Sequence, residues 1–124
     1  VGKYLVEKYG GIALEKITDP NLYEKFDFHI NNFAVVVDFK NWSEKTRFDN
    51  DAYTEKMIKK AKECGSKLML AINLISNNTY KPFEQIVDGI NIKEIPNIII
   101  REGDKYPINY DALMKIGEII KEYI

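Results

Sequence analysis

The sequence predicts a three-layer α/β/α domain, a central mixed sheet sandwiched between helices, and three observations carry that expectation. Two Val- and Phe-rich runs, Phe26–Ile30 and Ala34–Trp42, are separated by Asn31-Asn32-Phe33, a link short enough and rich enough in turn formers to pair them antiparallel. Leu68–Ile75 is apolar apart from Asn73, the pattern of a central strand covered on both faces. Asp51–Cys64 and Asp111–Ile124 repeat apolar residues at helical spacing and would cover the sheet.

The elements follow in order. Lys3–Tyr9 reads as a short amphipathic helix stopped by Gly10-Gly11, where glycine takes the left-handed conformation of a helix end. Thr18-Asp19-Pro20-Asn21 is a turn cluster leading into the hairpin, and Ser43–Asn50 is a polar loop after it. In Asp51–Cys64 the residues Tyr53, Met57 and Ala61 recur every four positions, with Gly65 just past the end. Tyr80–Asp88 is expected as a second short helix starting at Pro82, since proline suits the first helical position, and Ile95–Arg101 as a strand with Pro96 at its start. Leu113, Ile116, Ile120 and Tyr123 make the last segment a closing helix. The expected order is helix, hairpin, helix, strand, helix, strand, helix, with strands around Asp27, Val36, Ile72 and Ile99.

Composition bounds the function. At 124 residues the chain is one domain, residues 1–124, and its 45% hydrophobic and 30% charged residues are those of a globular protein. No apolar run reaches the length of a membrane span, and no signal-peptide pattern is visible. The single Cys64 excludes an internal disulfide, has no Cys or His cluster around it for structural zinc, and fits a reducing, cytoplasmic compartment. A net charge of −1 argues against a dedicated nucleic-acid binder. Lys56, Lys59, Lys60, Lys62 and Lys67 soften that argument, although a solvated helical face explains most of them. The chain opens at Val1, which suggests a piece of a longer protein or a processed form.

The chemistry concentrates on the hairpin. Side chains alternate along a strand, so Asp38 and Lys40 share a face, and antiparallel pairing brings Asp27 toward them. Ala34–Val37 runs into Asp38 without alternation, as in a strand buried on both faces, where an unpaired carboxylate is costly. A surface ion pair is the plain alternative. A hard cation needs only one or two carboxylates plus waters and substrate phosphate, and a lysine beside it can orient the attacking water or neutralise a phosphate.

An aspartate, a gap of 38 − 27 = 11 positions, and then Asp38-Phe39-Lys40 at the end of a Val-rich strand resemble the PD-(D/E)xK nuclease superfamily. The resemblance covers the element order over residues 1–75, with Phe26 standing where the family name has proline. It implies a restriction-endonuclease-like fold and a Mg²⁺-dependent DNA endonuclease, Mn²⁺ substituting, or the nuclease domain of a larger DNA-processing protein. Asp27 and Asp38 would hold the metal and Lys40 would assist catalysis. In the family a glutamate on the first helix completes the metal shell, which makes Glu7 the candidate, with Glu15 and Glu24 as rivals. Trp42 and Arg47, just beyond Lys40, are candidates for stacking on a base or holding a phosphate, and core anchoring is the commoner fate of such a tryptophan. His29 is expected to be structural, because Mg²⁺ prefers oxygen. Two other readings stay open: a catalytically inactive interaction or nucleic-acid-binding module of the same fold, and a doubly wound α/β signalling domain. The absence of a glycine-rich phosphate loop counts against the second.

Overall fold

A computed structural model describes residues 1–20, 26–40, 51–75, 82–100 and 102–124, without the side chains of 51–54, 75 and 97. Its described elements are α1 (Gly2–Gly10), β1 (Glu15–Lys16), β2 (Phe28–Ile30), β3 (Val35–Lys40), α2 (Asp51–Glu63), β4 (Leu68–Ile75), β5 (Glu84–Val87), β6 (Ile90–Ile99) and α3 (Tyr110–Lys121). They form a mixed sheet of six strands in the order β1-β2-β3-β4-β6-β5. The meander β1-β2-β3 is antiparallel, β3, β4 and β6 run parallel, and β5 returns antiparallel on β6.

Strand alternation sorts the core into two layers. Val35 and Val37 on β3, with Leu68, Leu70 and Ile72 on β4, pack against Leu5 and Val6 of α1 and Leu113, Ile116 and Ile120 of α3. On the opposite face Val36, Met69 and Ile92 meet Met57 and Ala61 of α2. The helices therefore cover both sides of the parallel strands, which is why those strands lack a polar face along most of their length. α1 and α3 approach closely at Gly10 and Gly117, where a methyl group on Gly117 would run into the Gly10 carbonyl.

The hairpin joining β2 and β3 turns through Asn31, Asn32 and Phe33, all left-handed at φ 53°, 52° and 68°. Asparagine tolerates that region, whereas Phe33 is held there with its ring stacked on His29, centroids 4.0 Å apart. The α2 end matches its expected stop, with Gly65 at φ 73°. Leu68–Ile75 is the strand expected, and α1 ends on a left-handed Gly11 (φ 69°).

Three expectations are corrected. The helix expected over Tyr80–Asp88 is not formed in its described part: Glu84–Val87 is strand β5. Asp88 and Gly89, at φ 51° and 81°, make a two-residue turn into β6, with Val87 paired to Ile90. β6 begins at Ile90 rather than at Ile95, so Pro96 lies inside it. Among the described residues, the contacts to the β5 side that lie nearest the proline are the reciprocal 2.9 Å bonds of Phe83 with Glu94, one to its backbone N–H and one to its carboxylate. β1, a two-residue edge strand, stands where only a connection was expected. The closing helix spans Tyr110–Lys121 and starts at Asn109, whose side chain accepts from Ala112 N at 3.3 Å.

Candidate functional site

The site lies at the carboxyl end of β3, beside the parallel strand β4. Val36 faces α2, so the two-residue period puts Asp38 and Lys40 on that same side. The hydrophobic layer under α2 stops at the row Val36, Met69, Ile92, and the next rows are polar. Asp38 aligns with Ala71 and then Glu94, and Lys40 aligns with Asn73 and then Pro96. Asp38, Asn73 and Glu94 are all buried, a concentration of polar groups that a purely structural core avoids.

Asp27 reaches this row by a local bend. It precedes β2, its N–H donates to Val37 O at 2.9 Å, and its carbonyl accepts from Ile17 N at 3.3 Å. Its carboxylate then turns over β3, where Oδ2 accepts from the N–H of Phe39 at 2.8 Å. That amide adjoins Asp38, so the two carboxyls come within hydrogen-bonding reach of each other. Lys40 Nζ lies 2.6 Å from Asp38 Oδ2, a close ion pair in which the buried oxygen gains no properly directed hydrogen bond.

The electrostatics of Asp38 follow from this crowding. Burial is the largest influence and pushes its carboxyl up to about 7; Lys40 pulls it down, and the charge and hydrogen bond of Asp27 push it up again. Among the described residues, two carboxyls beside one ammonium carry one more negative than positive charge when both are ionised. A proton or a cation would relieve it. Two convergent carboxylates form the oxygen donor set that a hard divalent ion takes, so Asp27 and Asp38 fit such an ion on their chemistry.

The other sequence candidates fall elsewhere. Glu7 on α1 accepts from Lys3 Nζ at 2.8 Å and from Leu14 N at 3.0 Å, tying the end of α1 to the chain that follows, and its carboxyl is held below the usual range by those two bonds. Glu15, exposed on β1, lies 3.5 Å from His29 Nε2. Among the described residues no three of His, Cys, Asp and Glu gather into one group. Glu24, Trp42 and Arg47 lie outside the described residues. The lysines of α2 behave as a solvated face where they are paired, Lys60 with Glu63 at 3.5 Å and Lys62 with Asp88 at 3.4 Å. Cys64 is half-buried beyond the end of α2, its thiol pushed up by burial.

Glu94 is the residue that sequence reasoning passed over. Ile90, Ile92 and Glu94 share one strand face, so a carboxylate continuing an apolar stripe was its available signal. Among the described residues no helix is long and apolar enough to cross a membrane. No protein-family model matches the chain, and no curated protein matches it.

Proposed function

We propose that the chain is a metal-dependent nuclease of the PD-(D/E)xK type with a restriction-endonuclease-like fold, acting on DNA with Mg²⁺. The observation that carries the reading is the convergence of Asp27, Asp38 and Lys40 at one strand end. Further support comes from the order α1, β2 next to Asp27, β3 with Asp38 and Lys40, α2 and β4, which follows the helix, two strands, helix and strand that the resemblance implies. The carboxyl end of parallel strands is also where open α/β sheets bind ligands.

Asp27 and Asp38 would hold the cation, which when bound supplies a polarised phosphoryl oxygen and a more acidic water. Asp27 is fixed for this by the Phe39 N–H, which fills one lone-pair direction of Oδ2. Asp38 is kept dry by the apolar row beneath it, which strengthens its interaction with any positive charge. Lys40 neutralises one carboxylate in the resting protein and is placed to meet a phosphate or orient a water once a cation takes over that task.

The test is cleavage of plasmid and short-duplex DNA by the wild type, Asp38→Ala and Lys40→Ala under Mg²⁺, Mn²⁺ and Ca²⁺. The wild type should cleave with Mg²⁺ and Mn²⁺, and both variants should lose cleavage while remaining folded. Ca²⁺ should bind without supporting cleavage, since its looser, longer coordination positions the reacting groups less tightly. A wild type that cleaves neither double- nor single-stranded DNA and gains no melting temperature from Mg²⁺ would refute the reading and leave the inactive interaction module.

A further inference from the structure

We infer that the outer edge of β5 pairs antiparallel with the same edge of a second copy of the chain, joining two sheets into one across a two-fold axis. The inference is independent of the nuclease reading. β5 is the last strand of the sheet, with Glu84, Gln85 and Ile86 exposed, and Ile86 is 71% exposed. Sheet edges that avoid association carry lysine, proline or a bulge, whereas this one reads Glu-Gln-Ile-Val and pairs with β6 in unbroken register. Neither helical layer overhangs it. A cleft of about 660 Å³, with Glu84, Lys93 and Ile95 on one side and Asp111 and Lys115 on the other, separates β5 from α3. On the α2 side, Gln85 next to Ile92 is exposed.

The hairpin decides which backbone groups face outward. Val87 and Ile90 close the two-residue turn, and Glu94 N donates to Phe83 O at 2.9 Å, so Phe83, Gln85 and Val87 direct their N–H and C=O toward β6. Glu84 and Ile86 direct theirs away, and among the described residues no hydrogen bond reaches those groups.

A two-fold axis makes the paired strands antiparallel and sets outward residues against outward residues, which leaves three registers. Glu84 facing Glu84 opposes like charges and sets Ile86 against Pro82, which has no N–H. Ile86 facing Ile86 sets Glu84 against Asp88, again like charges, with Asp88 already in the turn at φ 51°. In the third, Glu84 faces Ile86 twice, and each such pair exchanges both backbone bonds. Gln85 then meets Gln85 on the axis. Each Glu84 keeps its own Lys93 at 3.7 Å, and the two Ile86 side chains become diagonal neighbours on the face that carries α3. Only this register uses every outward group of β5 without opposing charges, so the edge complements itself.

Sedimentation of the full chain from micromolar to millimolar concentration tests the pairing. The wild type should approach twice the mass of one chain, while Ile86→Pro, which removes an N–H that β6 does not use, and Ile86→Lys should stay at the mass of one. The register is read by oxidising Gln85→Cys in a Cys64→Ser background. Facing positions without mutual hydrogen bonds lie about 4.5 Å apart at Cα, within disulfide reach. Gln85→Cys should link two chains at least about tenfold faster than Asp88→Cys, which faces Pro82 and so lies 88 − 82 = 6 positions from its own copy. A wild type that stays monomeric to millimolar concentration would overturn the inference and leave the edge to water or to a strand of another protein. So would a dimer that survives in folded Ile86→Lys, or equal linking rates for the two cysteine variants.

Discussion

Replacing Asp38 by asparagine keeps the shape of the side chain and removes its titration. The carboxyl stands at about 7 in the folded protein against 3.8 for the free group, a rise of about 3 units, or a ceiling of about 4 kcal/mol at 1.36 kcal/mol per unit. The folded value is the higher one, so the stabilising form is the protonated one. Its contribution is complete below about pH 4 and is lost as the pH rises through about 7. Local relaxation and water penetration reduce the ceiling, and roughly 2–3 kcal/mol is the expected change. Urea denaturation of the wild type and Asp38→Asn from about pH 4 to pH 8 measures it as the difference between the two stabilities, which cancels the titration of groups remote from Asp38. That difference should shift by roughly 2–3 kcal/mol in favour of the variant across the window. In the wild type alone, saturating Mg²⁺ at about pH 8 should recover part of the loss, because a ligand of the folded state stabilises it by mass action. A difference independent of pH would mean that Asp38 is ionised at little cost, and the electrostatic account of the site would fall.

Three further predictions concern the scaffold and the third acid. Gly117→Ala should destabilise by roughly 1–3 kcal/mol, since its methyl meets the Gly10 carbonyl, whereas Gly10→Ala, whose nearest contact is 3.4 Å, should cost less; equal melting temperatures for the two would show that the helices separate freely. Asn109→Ala should cost about 1 kcal/mol by removing the cap on Ala112 N, read by thermal or urea denaturation, with no change as the refuting result. Glu7→Ala should lower the melting temperature by releasing Leu14 N and leave the Mg²⁺-induced shift intact. The carboxyl of Glu7 is depressed, so its contribution is present above the unfolded value and is lost as pH falls through the folded one. Disappearance of the Mg²⁺ shift in Glu7→Ala would place this glutamate at the metal.

The α/β class and most elements were legible because each rests on a local signal that tertiary contacts reinforce. Gly11 and Gly65 stop helices, Asn31-Asn32 turns a hairpin, and Leu68–Ile75 is apolar because it is covered twice. The β5–β6 hairpin was misread for an equally local reason. Pro82 suggested a helix start and Pro96 a strand start, while Asp88-Gly89 between Gln85-Ile86-Val87 and Ile90-Asn91-Ile92 was the stronger sign. β1 has only two residues, too few for any periodicity, and exists through its pairing with β2. Such an edge is a tertiary fact and leaves little trace in the chain.

At the site the division between legible and hidden follows the distance over which each cause acts. Asp38 and Lys40 lie two apart on one strand, so alternation alone puts them together, and the unalternated run before Asp38 announces its burial. Asp27 needed the hairpin, a short-range closure, but its orientation comes from the Phe39 amide and the bend before β2, which no pattern encodes. Glu94 depends on where β6 starts, and misplacing that start hid it, since a glutamate outside a strand is an ordinary surface residue. Asn73 stood out as the one polar residue of a buried strand, yet its neighbour could be named only from the parallel register of β3 on β4. Parallel strands joined by a crossover carry no turn that fixes their alignment, so the Lys40–Asn73 row is set by how α2 packs Met57 and Ala61 over Val36 and Met69. The polar chemistry of the site is thus aligned by the apolar layer beneath it, and cavity-forming changes there, such as Met57→Ala, should loosen Lys40 as well as the core.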